Sequence, residues 1–391
     1  MLAELSPVRA VTHRDPYPYY AALVAERPCY FDDELQCWVA SSAAAVTAVL
    51  ASSDCRVRPA TEPVPSGIAG TAAGEVFGNL VRMTDGEFHD RVKAIVVESL
   101  GGVSAGEVSL QATECARSVL TGDRPVEELM FGVPAQVVAR LCGLDDGSDE
   151  RASRLIGEFV KCLPATADAD QLRAAASAAE QLQALLGPRL TEDGTGLLGE
   201  LVRAARRADW TEQAPLLANG IGLLSQTYDA TAALIGNCLV ALARSSTAPA
   251  ELPAFVREVA RHDSPVHSTR RFVAAAFDYA GCQFEKDQSI LLLLAAANRD
   301  PAANPDPAAM RPDREHSRLF TFGAAGHGCP GETLALGIAT AAVRQLVEAG
   351  LDARQLCGDG VRYLPSGNIR TPVFPGPTVL PGMPERSGDS R

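Results

Sequence analysis

Aromatic residues and runs of basic residues are scarce in this sequence. Phe, Trp and Tyr together make up 5% of the 391 residues, so Ala, Leu and Val supply most of the apolar surface. Ala and Leu favour helices, and the composition therefore predicts a mainly α protein. The formal net charge is -13, and no dense run of Lys or Arg occurs. Because binding to phosphates requires a basic face, we expect neither a nucleic-acid partner nor an anionic membrane partner.

The sequence also has little that resembles a secretory signal or a membrane-spanning helix. Residues 1–28 contain Asp15, Pro16, Pro18 and several charges, without an apolar segment. The longest apolar stretch, 216–242, includes polar and charged side chains that would be costly in lipid. These side chains are Asn219, Gln226, Asp229 and Asn237. We therefore expect a buried helix over this stretch, in a cytoplasmic protein.

Closely spaced cysteines are absent as well. The chain has ten cysteines, and none lies within four residues of another. This spacing argues against a zinc finger and against a C-x-x-C redox pair. Cytosolic proteins usually keep such cysteines reduced, as small apolar side chains. The remaining question is whether one of them has a special role.

The hydrophobic patterns predict helices over most of the chain. Residues 107–245 are almost continuously helical in pattern, and 334–349 form a late helix. Short strands are predicted for 37–40 and within 270–294, with a turn around Gly281.

No internal repeat and no linker interrupts these patterns. We therefore expect one mainly helical domain, 1–391, with small β-sheets on one side. The polar tail over 382–391 is expected to be disordered.

The most informative segment is the glycine-rich stretch 319–335, LFTFGAAGHGCPGETLA. Its glycines are Gly323, Gly326, Gly328 and Gly331, and they allow turns that other residues avoid. A loop wrapped around Cys329 can direct backbone N–H groups at the sulfur, and these donors stabilise a thiolate and tune a bound metal. The alternative is a glycine-rich turn that holds a buried free cysteine.

This segment resembles the heme-binding signature of the cytochrome P450 family. Phe322, Gly323, His327, Cys329 and Gly331 match the signature in register. Ala325 departs from it, because the family has a second glycine there. The resemblance implies a mainly α cytochrome P450 fold with small β-sheets, one heme b, and Cys329 as the thiolate ligand of its iron.

A second resemblance concerns an ion-pair triad. Glu258 and Arg261 lie three residues apart, so they share one face of a predicted helix. An exposed salt bridge has the same spacing. Their position about seventy residues before Cys329 matches the family's Glu-Arg pair, and Arg314 resembles the third member of that triad. The implied role is to brace the core on the heme side.

Sequence segments typical of the family also occur elsewhere in the chain, so the resemblance covers essentially the whole chain. The matching segments are Asp15-Pro16-Tyr17-Pro18, Ala296-Ala297-Asn298-Arg299-Asp300-Pro301 and Asn304-Pro305-Asp306-Pro307.

The resemblance further assigns partners to the two heme propionates, which need cations or hydrogen-bond donors. The residues that it implies are His89, Lys93, Arg271 and His327. The family usually has arginine at the position of Lys93, and lysine keeps the charge but loses the bidentate fork. The alternative for each of these residues is a solvated surface cation.

The segment 226–231 aligns with the family's oxygen-activation motif on the long apolar helix. Asp229 matches the motif's acid, Thr227 replaces its glycine and Ala230 replaces its threonine. Thr231 is displaced by about 100° around the helix. A substrate hydroxyl or an ordered water could replace the missing hydroxyl, Thr227 could substitute for it, or the reaction could differ from simple hydroxylation.

Taken together, the resemblance implies a monooxygenase that activates O2 and oxidises a small organic molecule such as a bacterial secondary metabolite. Hydroxylation is the main expectation. Because no flavin or iron–sulfur segment is visible, electrons are expected from a ferredoxin and its reductase. Substrate contacts are expected from 61–82, 155–190, the long helix, 265–273 and 366–371. One alternative is oxidative C–C, C–O or C–N coupling on an aromatic, peptide-derived or carrier-protein-bound scaffold. The other is a non-catalytic heme-binding scaffold.

Overall fold

The computed structural model describes residues 5–121, 125–145, 147–245, 249–358 and 360–375. The predicted disordered tail, 382–391, lies outside the described residues. Helices dominate the described part, as the composition predicts. They are α1 (Pro7–Ala10), α2 (Tyr17–Glu26), α3 (Ala43–Ala51), α4 (Ala72–Asn79), α5 (Gly86–Gly101), α6 (Ala105–Leu120), α7 (Val126–Leu141), α8 (Ser148–Phe159), α9 (Ala169–Leu186), α10 (Gly196–Arg207), α11 (Gln213–Arg244), α12 (Leu252–His262), α13 (Leu294–Asn298), α14 (Glu332–Glu348) and α15 (Ala353–Cys357).

The strands form small sheets beside the helices. They are β1 (Cys29–Asp32), β2 (Cys37–Ala40), β3 (Cys55–Arg56), β4 (Ser268–Val273), β5 (Phe277–Tyr279), β6 (Cys282–Phe284), β7 (Ser289–Leu293), β8 (Arg362–Tyr363) and β9 (Pro372–Val373). The main sheet has the order β1-β2-β7-β4-β3, with β2 and β7 parallel and the other pairs antiparallel. Two hairpins, β5–β6 and β8–β9, make the remaining sheets.

Strand β7 is apolar throughout because both faces of the main sheet are covered. Ile290 and Leu292 pack on one side with Val46 of α3, whereas Leu291 and Leu293 pack on the other with Tyr20 of α2. Successive side chains of a strand alternate between faces, so a strand that is buried on both sides needs a continuous apolar run.

Helix α11 runs through the middle of the helical core. It has 32 residues, which corresponds to a length of about 48 Å. It packs against α7, α14, α4 and α12, and most of its side chains are buried. Residues 226–230 interrupt this burial, since all five are partly accessible between buried turns on either side. The middle of α11 therefore borders open space inside the molecule. None of the described helices combines the length and the hydropathy that a membrane-spanning segment needs.

Candidate active site

The loop before α14 folds back on itself around Cys329. The Cys329 N–H donates to the carbonyl oxygen of Phe322 at 2.7 Å, and the Gly323 N–H donates to that of Phe320 at 2.8 Å. Gly323 has φ +70°, where a Cβ would strain the backbone. The sequence therefore places its glycine where this turn requires one.

Ala325 keeps the left-handed conformation that a glycine would adopt more easily. Its φ is 55°, and the Gly328 N–H closes the following turn by donating to the Ala325 carbonyl at 3.0 Å. The departure from the family signature therefore leaves the turn in place, at the energetic cost of a left-handed alanine.

Cys329 differs from the other cysteines in its accessibility. Six of the ten are buried and three are intermediate, whereas Cys329 is exposed. Protein nevertheless surrounds it, and this burial raises the pKa of its thiol. The Gly331 N–H, Lys93 and Arg82 only partly oppose the shift. A thiol that is enclosed yet accessible faces an internal cavity. Fewer backbone N–H groups stabilise the sulfur than the glycine-rich loop led us to expect. The Gly331 N–H does so, and α14 begins only at Glu332.

The residues predicted to hold the propionates come together around this loop. The Lys93 ammonium donates to the carbonyl oxygen of Gly328. The His89 and His327 rings lie 4.0 Å apart between centroids, and His327 Nε2 is 3.2 Å from a carboxylate oxygen of Asp85. Arg271, buried on β4, interacts electrostatically with the same carboxylate. Three segments thus contribute to one cluster of donors, and the first lies more than 170 residues before the other two.

His89 connects this cluster to the segment before α5. Its Nδ1 lies 2.8 Å from the carbonyl oxygen of Val81, and its Nε2 lies 3.1 Å from that of Gly326. A neutral imidazole carries one N–H, so only one of these two contacts can be a hydrogen bond in the neutral ring, and that N–H is the donor available to a propionate.

The charges of the cluster fit a ligand with carboxylates. Burial lowers the pKa of Lys93, Arg271 and His327, and nearby anions only partly oppose these shifts. The opposing anion is Asp85 for Arg271 and His327, and the Cys329 thiolate for Lys93. The cluster therefore combines the cations Lys93 and Arg271 with the carboxylate of Asp85. A heme brings two propionates and an iron that binds thiolate, and this donor set suits both.

Glu258, Arg261 and Arg314 form a buried ion-pair network below the loop. Arg261 donates to both Glu258 oxygens, at 2.9 and 2.6 Å, and Arg314 Nε donates to Oε1 at 3.0 Å. The Glu258 and Arg261 side chains are 3% and 0% exposed, which excludes an ordinary surface salt bridge. Burial alone would raise the pKa of Glu258, but the hydrogen bonds from Arg261, the Arg311 N–H and Arg314 hold it below its usual range.

This network reaches the Cys329 loop through Asn298 and Thr321. Arg261 donates to the carbonyl oxygen of Asn298 at 3.1 Å, and the Asn298 side chain bonds the Phe320 N–H at 2.6 Å and the Thr321 hydroxyl at 2.8 Å. The Thr321 hydroxyl in turn donates to Ala260 on α12 at 2.5 Å. The ion pair therefore fixes the base of the loop that carries the thiol.

The accessible turn of α11 carries the predicted oxygen-activation residues. Asp229 and Ala230 are partly accessible, whereas Thr231 is buried and its hydroxyl has no hydrogen-bond partner in the described chain. The Thr227 hydroxyl donates to the carbonyl oxygen of Leu223 at 2.7 Å. Burial raises the pKa of Asp229 to about 6, and Arg82 partly opposes this shift. Asp229 is thus the group of this turn whose pKa lies near neutral, since burial raises the pKa of Tyr228 to about 12.

Three residues of the site and its support were not singled out from the sequence. Asp85, at the start of α5, accepts from the Val57 N–H at 3.0 Å instead of capping its own helix. Arg82 interacts electrostatically with both Asp229 and Cys329. Arg370 binds the buried Asp263 at 3.0 Å and donates to carbonyl oxygens of Val11 and His13. An acid followed four residues later by His89 was a local signal for Asp85. Arg82 and Arg370 lie within the ranges 61–82 and 366–371 expected to contact substrate, but no local pattern distinguished either arginine.

Comparisons with known proteins agree with this geometry. No family model matches the chain. Cytochrome P450 133B2 of Xylella fastidiosa is 28% identical over 312 residues, which cover 75% of this chain and 78% of that protein. The 20-oxo-5-O-mycaminosyltylactone 23-monooxygenase of Streptomyces fradiae is 28% identical over 347 residues, 84% of this chain and 81% of that protein.

Solved structures give the same answer for the fold. The crystal structure of P450BioI in complex with an acyl carrier protein that bears hexadec-9Z-enoic acid superimposes with a TM-score of 0.78. The match covers 92% of this chain and 97% of that one at 21% identity. With the thiol loop, the cationic cluster and these relatives in agreement, the chain belongs to the cytochrome P450 family of heme b monooxygenases.

Proposed function

We propose that this monooxygenase hydroxylates a small organic molecule of bacterial secondary metabolism, and that Cys329 would supply the thiolate ligand of its heme iron. One observation carries the assignment of the site: an enclosed but accessible thiol lies in a glycine turn beside four potential propionate partners. The Streptomyces fradiae relative, whose name describes a monooxygenase of a glycosylated lactone, supports the substrate class.

In this proposal the heme-binding residues divide into two groups. Lys93, Arg271, His89 and His327 hold the propionates, and Asp85 orients His327 by accepting its hydrogen bond. The Glu258 network would hold the base of the loop that carries Cys329, whose sulfur would bind the iron. When bound, the heme activates O2 with two electrons and two protons and transfers one oxygen atom to the substrate.

Asp229 is the proposed proton carrier beside the oxygen site. Its pKa of about 6 lies close enough to neutral pH for both protonation states to be accessible. Ala230 leaves space where the family has a threonine hydroxyl, and the Thr227 hydroxyl is engaged with Leu223. We therefore assign the second part of the relay to a hydroxyl or water that arrives with the substrate.

Electrons are proposed to come from a ferredoxin and its reductase. A surface cleft of about 340 Å³ is lined by Arg257, Arg314, His316 and Arg318, with Glu315 as its acid. Arg257 binds Glu332 at 2.7 Å, which places the cleft beside the start of α14 and the Cys329 loop. A basic cleft on an acidic protein favours an acidic donor that docks close to the heme ligand.

The substrate could be presented while bound to another protein. P450BioI is crystallised with an acyl carrier protein, and its fold matches this one over most of both chains. A carrier-bound or peptide-derived substrate is therefore part of the proposal, and binding assays should include both free acids and their carrier-protein thioesters.

The decisive experiment replaces Cys329 by serine and records the spectrum of the ferrous CO complex. We expect wild type to show the red-shifted Soret band of thiolate ligation and Cys329→Ser to lose it. Cys357→Ser, at another partly accessible cysteine, is the matched control and should keep the band. A normal band in Cys329→Ser would refute the ligand assignment, and a wild type without the band would favour a non-catalytic heme scaffold.

The gap at Ala230 also favours a second candidate function, oxidative coupling. Coupling removes two hydrogen atoms from the substrate without adding oxygen, and O2 with two electrons and two protons leaves as two molecules of water. The reaction still consumes protons, but hydroxyls of an aromatic substrate can deliver them where Ala230 leaves a gap. Product mass separates the two reactions: hydroxylation adds one oxygen atom, whereas coupling removes two hydrogen atoms for each bond formed.

A further inference from the structure

Arg82 lies on a short 3-10 turn, Val81–Met83, that is fixed from both sides. The Val81 N–H donates to the side-chain oxygen of Asn219 on α11 at 2.9 Å, and the Asn219 amide donates to the Asn79 carbonyl at 2.9 Å. The Val81 carbonyl faces His89 at 2.8 Å. The backbone of Arg82 is thereby held between the central helix and the heme-side cluster.

A glycine on α11 makes this close approach possible. A Cβ on Gly222 would lie 2.7 Å from Leu80 Cδ2, which is closer than real side chains come. Leu80 itself is buried in the helical core, so the turn that carries Arg82 cannot move away from α11 without opening that core. The position of Arg82 is therefore a built feature of the fold.

The Arg82 side chain is enclosed by protein yet accessible to a solvent-sized probe. Burial lowers the pKa of its guanidinium, although the residue is exposed by surface area. Both observations hold for a side chain that points into an internal cavity, as they do for Cys329. The groups that act electrostatically on Arg82 are Asp229 on α11 and Cys329, which places its guanidinium on the side of the turn that faces both residues.

No hydrogen bond or close ion pair joins the Arg82 guanidinium to the described part of the chain. In the propionate cluster, by contrast, His327 lies 3.2 Å from the Asp85 carboxylate, and Arg271 interacts electrostatically with the same carboxylate. Arg82 instead interacts electrostatically with Asp229, on the oxygen-activation turn. A buried cation without a partner is costly, and a ligand anion is the natural complement.

We propose that Arg82 is the anion-binding residue of the substrate site and that the substrate is an organic acid whose carboxylate it pairs. This inference rests on the proposed function, since it assumes that the cavity beside Asp229 receives the substrate. The carboxylate binds at the Arg82 end of the cavity, and the carbon that is oxidised lies away from it, toward Ala230. Neutral analogues of the same shape should bind less tightly.

The test compares acids with their methyl esters by substrate-induced shifts of the ferric heme spectrum. The probes are dodecanoic, hexadecanoic and 3-phenylpropanoic acids and the corresponding esters. We expect wild type to bind at least one acid about tenfold or more tightly than its ester. Arg82→Gln should lose this preference, and Arg82→Lys should keep part of it because the charge remains. Arg91→Gln, at an exposed arginine on α5, is the matched control and should behave as wild type.

Heme content and the CO spectrum of every variant separate this proposal from the proposed function. Full heme loading in Arg82→Gln with loss of acid preference supports substrate recognition. Reduced loading in Arg82→Gln would show that Arg82 holds a propionate, and this would overturn the inference. Equal binding of acids and esters by wild type, or no binding of any acid, would also overturn it. If wild type itself lacks the thiolate CO band, the proposed function fails first.

Discussion

Ala325 shows how one side chain can strain a functional loop. A left-handed alanine costs about 1–3 kcal/mol, of which the greater backbone entropy of glycine would cancel about 0.5–1 kcal/mol. Ala325→Gly should therefore raise the free energy of unfolding by about 1 kcal/mol, measured by denaturant unfolding of the heme-loaded protein. Ala324→Gly is the control, because Ala324 has φ -158° and glycine there should give no gain. Equal effects of the two changes would contradict the strain.

Asp229 is a residue whose environment opposes folding at neutral pH. Its pKa is raised from 3.8 to about 6, so the folded chain holds this proton more tightly than the unfolded chain does. Stability is then lost as pH rises from about 4 to 6, by on the order of 1–3 kcal/mol. Asp229→Asn should recover this stability at pH 7 and slow turnover by about 10- to 1000-fold. The exposed Asp278→Asn should do neither, and a faster Asp229→Asn enzyme would exclude the proton role.

Ala230 can be tested by restoring the hydroxyl that the family carries. If the substrate or a water supplies this hydroxyl, Ala230→Thr places a side chain in its position and should not improve coupled turnover. The measurement is product formed per NADH or NADPH consumed, for wild type and variant together. A clear gain in coupling from Ala230→Thr would exclude substrate assistance.

The buried pair of Glu258 and Arg261 stabilises α12 and the loop that it contacts. Removing one partner of a buried pair costs about 3–5 kcal/mol, because the other charge stays buried without compensation. Glu258→Ala should therefore yield mostly apoprotein or insoluble chain. Glu158→Ala removes an exposed i,i+3 pair with Lys161 at 2.7 Å and should cost less than about 0.5 kcal/mol. Heme content per chain distinguishes the two, and full loading in Glu258→Ala would exclude a bracing role.

The same ion pair makes the free energy of unfolding depend on pH under acidic conditions. The pKa of Glu258 is held below its usual range, so its contribution is complete above the pKa of an unfolded glutamate. It is lost as pH falls through the lower folded value. The measurement is the free energy of unfolding of the heme-loaded wild type against pH, and no fall below the pKa of an unfolded glutamate would contradict this contribution.

Elements whose residues are adjacent in sequence were predictable, and contacts between distant segments were not. The strand predicted for 37–40 is observed at the same bounds, and the helix predicted over 216–242 is observed as Gln213–Arg244. The four-residue helix α1 is too short to show a helical period. Motif spacing placed Glu258 beside Arg261 and identified the Cys329 loop. No local pattern could reveal that Asp263 meets Arg370, which lies 107 residues away, or that Asp85 meets His327 across 242 residues.

At the scale of the whole molecule, charge should control electron delivery. The basic cleft beside the Cys329 loop lies on a protein of net charge -13. Arg318→Glu should slow reduction by a surrogate ferredoxin about tenfold at low salt, and the difference should shrink as salt screens the charges. Arg154→Glu, an exposed arginine on α8, is the control. Equal slowing by both changes would show that overall charge matters and the cleft does not.

The same imbalance of charge has a consequence for orientation. An acidic electron donor is repelled by most of a surface with 48 acidic and 35 basic side chains, and is tolerated where basic groups gather. Encounters at the wrong face then separate before they become stable complexes. The protein can thus keep its productive interface weak and rapidly released, because selectivity comes from the faces that reject the donor and not from tight binding at the face that accepts it.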